Sequence, residues 1–133
     1  MLTKNWLAHN KKYFQTVFYL YLVFVFVVTQ MPASSTKGLG EIPFFVPLVE
    51  FQFTDKIVHF FLFFTLAITF FLAFKKNNYF VFYFTFGISF LIEILQLTLP
   101  FGRDFDWFDL LANGLGTLTA IFLIRKFHMI NIS

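Results

Sequence analysis

The sequence predicts an all-α fold, a polytopic membrane bundle of four transmembrane helices, and three observations predict it. The 133 residues are 59% hydrophobic and only 13% charged, with 25 Phe, and the mean hydropathy is +0.75. The apolar residues gather into four runs, each near the ~20 residues that cross the hydrocarbon as a helix. Lys and Arg cluster at alternate ends of those runs. A soluble domain of this length has too little interior to hide so much apolar surface. No run alternates polar and apolar residues as a barrel strand requires.

The first helix is expected over 13–29, after Lys4, Lys11 and Lys12. Pro32 ends it, because proline lacks the backbone N–H that a further turn needs. The basic start, apolar run and Ala33-Ser34-Ser35 also have the layout of a signal peptide. The run exceeds the usual ~7–15-residue signal core, so a retained helix is the reading adopted. A loop over 30–55 follows, in which Pro43 and Pro47 interrupt the apolar stretch 42–49 and favour an interfacial course. The second helix is expected over 57–74, with Thr54 or Asp55 as its cap. Asn77-Asn78 makes the turn to a third helix over 79–99, which Pro100-Phe101-Gly102 ends. The fourth is expected over 107–124. All four form a single membrane domain, with no internal repeat and no low-complexity linker.

Charge orients the bundle. Lys4, Lys11, Lys12, Lys75, Lys76, Arg125 and Lys126 share one side, and only Lys37, Lys56 and Arg103 lie on the other. The first side is therefore expected to be cytoplasmic, with both termini there and the chain in the cytoplasmic (inner) membrane. All the acids fall on or near the opposite side: Glu41, Glu50, Asp55, Glu93, Asp104, Asp106 and Asp109.

Several chemistries are excluded. The chain has no Cys, hence no disulfide, thiolate metal site or cysteine nucleophile. It carries no Gly-rich phosphate loop, G-x-S-x-G elbow or H-E-x-x-H motif, and no cofactor is read. Its net charge of +3 comes from basic residues flanking apolar runs, a topology signal, so no nucleic-acid partner is expected. One membrane His with carboxylates lacks a specific ligand spacing, so no metal site is read.

The polar residues of three helices meet at one depth. Asp55 and His59 stand i, i+4 at the outer start of the second helix, next to Lys56. Glu93 and Gln96 stand i, i+3, about 10 Å and 6 Å before Pro100. Asp106, Asp109, Asn113 and Gly116 make one stripe on the fourth helix. Gly114, Gly116, Thr117 and Ala120 make that helix thin enough for close approach, which brings Asn113 toward Glu93. An unpaired carboxylate at the bilayer centre costs ~2.5–3.5 kcal/mol on the insertion scale, so Glu93 is expected to face the bundle and find a partner, to be protonated or to line a wet pocket, with His59 and Arg103 its natural cationic partners. The blander account is interhelical glue, worth about 1 kcal/mol per hydrogen bond; it serves Gln96 and Asn113 well. For Asp104 and Asp106 it is a solvated loop, and for His9 and His128 solvated tails.

These segments resemble the VanZ-like membrane family. Asp55-Lys56-Ile57-Val58-His59-Phe60 fits its D-K-x-x-H-F opening and Glu93-Ile94-Leu95-Gln96 its E-x-x-Q helix end. The stretch from Arg103 to Gly116 fits R-x-x-D-x-x-D-x-x-x-N-x-x-G, and the likeness covers 55–124. The resemblance implies an integral membrane protein of a family linked in some members to low-level resistance to the glycopeptide teicoplanin.

The leading functional expectation is an outer-leaflet site for the headgroup of a membrane lipid, a lipid-linked molecule or a lipopeptide. Asp55, Lys56, Gln96, Arg103, Asp106, Asp109 and Asn113 would bind it, Arg103 by bidentate hydrogen bonds to an anionic group. Glu93 and His59 would anchor polar groups. The alternative is an enzyme in which Glu93 and His59 perform acid–base chemistry on an envelope lipid. A transporter ranks third, since the inner half is nearly all apolar. A purely structural partner protein is the remaining reading.

Overall fold

The computed structural model describes residues 10–31, 54–100 and 104–127. Among them all regular structure is helical: α1 (Lys11–Thr29), α2 (Thr54–Phe74), α3 (Asn78–Thr98) and α4 (Trp107–Lys126). All four are long and apolar enough to cross a membrane. The loop proposed over 30–55, the apolar stretch 42–49, the small-residue segment 33–35 and the residues 101–103 that follow Pro100 lie outside the described residues, apart from the loop's two ends.

The helix ends follow local chemistry. At the end of α2, Lys75 takes a positive φ of 51°, the left-handed turn that stops the helix. Asn77 then caps α3, its side chain accepting from the Phe80 N–H at 2.8 Å. Asp106 caps α4 in the same way, accepting from the Phe108 N–H at 2.7 Å. Leu99, which precedes Pro100, is extended. Thr54 and Asp55 fall inside α2 rather than ahead of it, and Asp55 meets the positive end of the helix dipole. Arg125 and Lys126 complement the other end of α4.

α2 is the central helix. It packs most extensively on α4, then on α1, and α3 rests mainly on α4. Its buried face runs His59, Leu62, Phe63, Leu66, Ala67 and Phe70, the wide stripe of a helix with neighbours on more than one side. The α2–α4 approach is set at Gly116. A Cβ there would overlap the Phe60 carbonyl oxygen and lie 3.0 Å from the Phe60 carbonyl carbon and 3.1 Å from the Phe64 nitrogen. Only glycine lets these backbones meet so closely.

The bundle is divided along its length. Toward Lys75 and Lys76 the interior is aromatic: Phe70 stacks on Phe84 with centroids 4.2 Å apart, and Phe18 meets Phe70 edge-on at 5.4 Å. Toward Asp106 the buried residues turn polar: Gln30, His59, Ser89, Glu93, Gln96, Asp109 and Asn113. Outward faces carry exposed Leu20, Val23, Tyr83, Leu91, Leu118 and Phe122, as lipid contact requires. Several helix hydroxyls are satisfied within their own helix: Thr29, Thr69 and Thr85 each donate to the carbonyl four residues back.

Candidate functional site

The site lies at the Asp106 end, built by the first turns of α2 and α4 and the last turns of α3. Lys56, in the first turn of α2, donates from its ammonium to Asp106 Oδ2 and Asp109 Oδ1. Asp55 Oδ2 lies 3.9 Å from the same nitrogen. The depth of the group changes across it. The Asp109 side chain is 3% exposed, that of Lys56 24% and that of Asp106 37%, so the cluster runs from the interior to the surface. Burial by itself raises the Asp106 carboxyl. Hydrogen bonds from Lys56 and the Phe108 N–H, with the Lys56 charge, outweigh that and hold it below the ordinary carboxylate range.

Behind the ion cluster is a buried relay. Asn113 Nδ2 donates to Ser89 Oγ at 2.7 Å, which turns Asn113 Oδ1 toward His59 Nδ1 at 3.0 Å. In this arrangement Nδ1 carries the proton. His59 Nε2 faces Asp109 Oδ2 at 3.5 Å, a contact that is an ion pair when the ring is doubly protonated. Lys56, Asp109, His59, Asn113 and Ser89 therefore form one connected chain of polar groups from surface to core. Glu93, fully buried, accepts from the Asp106 N–H at 3.0 Å, tying α3 to the α4 cap.

A second polar seam joins α1 to α3. Gln96 Nε2 donates to the Thr29 carbonyl at 2.7 Å, and Gln30 Nε2 to the Ile92 carbonyl at 3.4 Å. Both amide oxygens, and Thr117 Oγ1, are buried without a hydrogen-bond partner among the described residues. Such atoms are costly unless water or a ligand reaches them.

The structure brings some of the expected residues together and separates others. His59 contacts Asp109 and Asn113, while Glu93 bonds to the Asp106 backbone, so these two are held by different partners. Lys56, Asp106 and Asp109 make the ion cluster with Asp55 at its exposed edge, and Gln96 serves the α1–α3 seam. Arg103, His9 and His128 lie outside the described residues, and Asp104 is exposed. Ser89, Thr29 and Gln30 were not among the expected residues. Ser89 could have been found, since it stands four residues before Glu93 on the face carrying Gln96. Gln30 and Thr29 carry no such signal, because they follow the apolar run of α1 without a repeat.

Asp55, His59 and Asp109 each offer a ligand atom to one point, all within 4.8 Å of one another. Lys56 already brings a positive charge to Asp109, the carboxylate that a metal ion would need most. As a whole, the arrangement presents charged and hydrogen-bonding groups at an exposed rim, with the His59–Asp109 contact buried behind it.

A sequence model of the VanZ/LLP1 family matches residues 16–130. No curated protein and no solved structure matches the chain.

Proposed function

The chain belongs to the VanZ/LLP1 family, and on that premise we propose that it binds the headgroup of an envelope lipid or lipopeptide at the outer membrane face. The same reading puts the chain in the cytoplasmic membrane with both termini inside, because Lys75, Lys76, Arg125 and Lys126 share one end. The observation that carries it is the Lys56–Asp106–Asp109 cluster. Its charges are paired yet reach the surface, whereas purely structural polar groups in a membrane bundle are hidden between helices. Carboxylates outnumber cations there: Asp55, Asp106, Asp109 and Glu93 against Lys56 among the described residues. That balance suits a headgroup bearing an amine or several hydroxyl donors, with Arg103 assigned to an anionic group on the same ligand. Exposed Trp107 and Phe108, beside the cluster, supply apolar surface for an acyl chain at the interface. Binding of this kind would change access of glycopeptides such as teicoplanin to the cell surface.

The test is teicoplanin susceptibility of cells carrying matched membrane levels of wild type and of Lys56→Gln. The variant should lose protection, and equal protection would remove the cluster from the function. A second reading, acid–base chemistry on an envelope lipid, is favoured by the single contact of His59 Nε2 with Asp109 Oδ2 at 3.5 Å. Asp109→Asn and His59→Gln, which remove that contact from either side, separate the two. Complete loss in each single variant, with no further loss in the double, marks chemistry. Partial loss in each single variant marks binding.

A further inference from the structure

An apolar cleft lies between α1 and α3 at the end of the bundle opposite the Lys56 cluster. A cavity of about 330 Å³ opens there, at the lower end of the ~300–1,000 Å³ range of ligand pockets. Leu22 of α1, Phe70 and Phe74 of α2, and Phe80 and Phe84 of α3 line it, and Lys76 is its one charged residue. The α1–α3 hydrogen bonds, Gln96–Thr29 and Gln30–Ile92, lie near the other end, and at the cleft the two helices meet through Phe18 and Phe84, with ring centroids 6.1 Å apart. One wall is aromatic, with Phe70 and Phe84 stacked at 4.2 Å and 10°. Its mouth is exposed at Lys76 and Phe80, and the Lys76 ammonium lies over the Phe80 ring, 5.4 Å from the centroid.

Two features identify the occupant. The walls are apolar, so what enters is hydrocarbon. The charge at the mouth is of one sign: Lys11, Lys12, Lys75, Lys76, Arg125 and Lys126 lie at this end of the described helices, with no Asp or Glu among the described residues there. Basic pockets between transmembrane helices take anionic phospholipid headgroups. We infer that an anionic phospholipid from the leaflet on this side seats one acyl chain in the α1–α3 cleft and its phosphate on Lys76. The site shares no residue with the Lys56 cluster, so it stands or falls independently of the headgroup proposal.

Native mass spectrometry of the full chain tests this, with equal amounts of phosphatidylglycerol and phosphatidylcholine offered in detergent. Wild type should retain phosphatidylglycerol preferentially. Lys76→Gln, at an exposed position where folding is undisturbed, should cut that preference about fivefold, the ratio for one basic residue at an anionic surface. Lys126→Gln removes the same charge outside the cleft and should change it little. Leu22→Trp fills the cleft and should reduce bound lipid of both kinds. Equal retention of the two lipids by wild type, or the same loss from Lys126→Gln as from Lys76→Gln, would overturn the inference.

Discussion

Replacing Gly116 by Ala tests whether the α2–α4 contact sets the geometry of the polar site. The added methyl would overlap the Phe60 carbonyl oxygen and stand 3.0 Å and 3.1 Å from the Phe60 carbonyl carbon and the Phe64 nitrogen. Every one of these atoms is backbone, so none can rotate aside and the helices must part. Overpacking of this kind costs ~1–3 kcal/mol. Parting also weakens the His59–Asn113 hydrogen bond, worth about 1 kcal/mol in a membrane. Against this, Ala gains ~0.5–1 kcal/mol over Gly in a helix interior. The net loss is about 2 kcal/mol. Reversible unfolding in mixed detergent–SDS micelles, followed by Trp fluorescence, measures it. Gly87→Ala is the control: among the described residues nothing beyond its own helix backbone lies within 4 Å of a Cβ there, so it should be neutral or stabilising by up to ~1 kcal/mol. If Gly116→Ala proved as stable as Gly87→Ala, the close backbone contact would not be what positions the site.

Lys56→Met should destabilise by ~1–3 kcal/mol in the same assay, between the effects for surface and buried pairs, because it leaves the buried Asp109 without its cation. Adding Asp109→Asn should recover most of that loss, and failure to recover would mean that Lys56 acts through packing. Asp106 gives a pH signature. Its folded carboxyl is held below the ordinary value of 3.8, so its contribution is present above that value and fades as pH falls through the lower folded one. Stability measured between pH 5 and pH 2 should therefore fall less steeply in Asp106→Asn; an identical acid slope would contradict the assignment. For topology, a Cys placed at Asn77 should resist an impermeant thiol reagent in whole cells while one placed at Gly38 reacts, and the reverse pattern would invert the orientation.

The helices were legible in the sequence because each requirement for crossing a membrane is local. An apolar run needs no partner to be recognised, and boundaries shifted by more than one residue only where charged residues continue a helix, as with Lys11, Lys12 and Asp55-Lys56 at its start and Arg125-Lys126 at its end; α3 shifted by one residue at each end. The polar stripes were legible too, since i, i+3 and i+4 spacing fixes one helix face. Which stripes meet was not. That depends on the rotation and axial offset between helices, set here by the glycine contact of α4 on α2, which seats Asn113 and Asp109 against His59 and leaves Glu93 to the Asp106 N–H. The α1–α3 seam was the least legible, because Gln30 and Gln96 bond to backbone carbonyls, and every residue offers one of those.

The headgroup site is tested most directly by capturing its occupant. A photoreactive amino acid replacing Asp104, exposed and two residues before the Asp106 cap, places the probe at the rim of the Lys56 cluster. Irradiated in native membranes and analysed by mass spectrometry, it should form one dominant adduct with an envelope lipid or lipid-linked headgroup. That adduct should disappear in the charge-balanced pair Lys56→Gln with Asp109→Asn, which removes the Lys56–Asp109 ion pair and leaves the net charge unchanged. An adduct spectrum that matches bulk lipid composition and is unchanged in the paired variant would contradict a headgroup site at this end of the bundle.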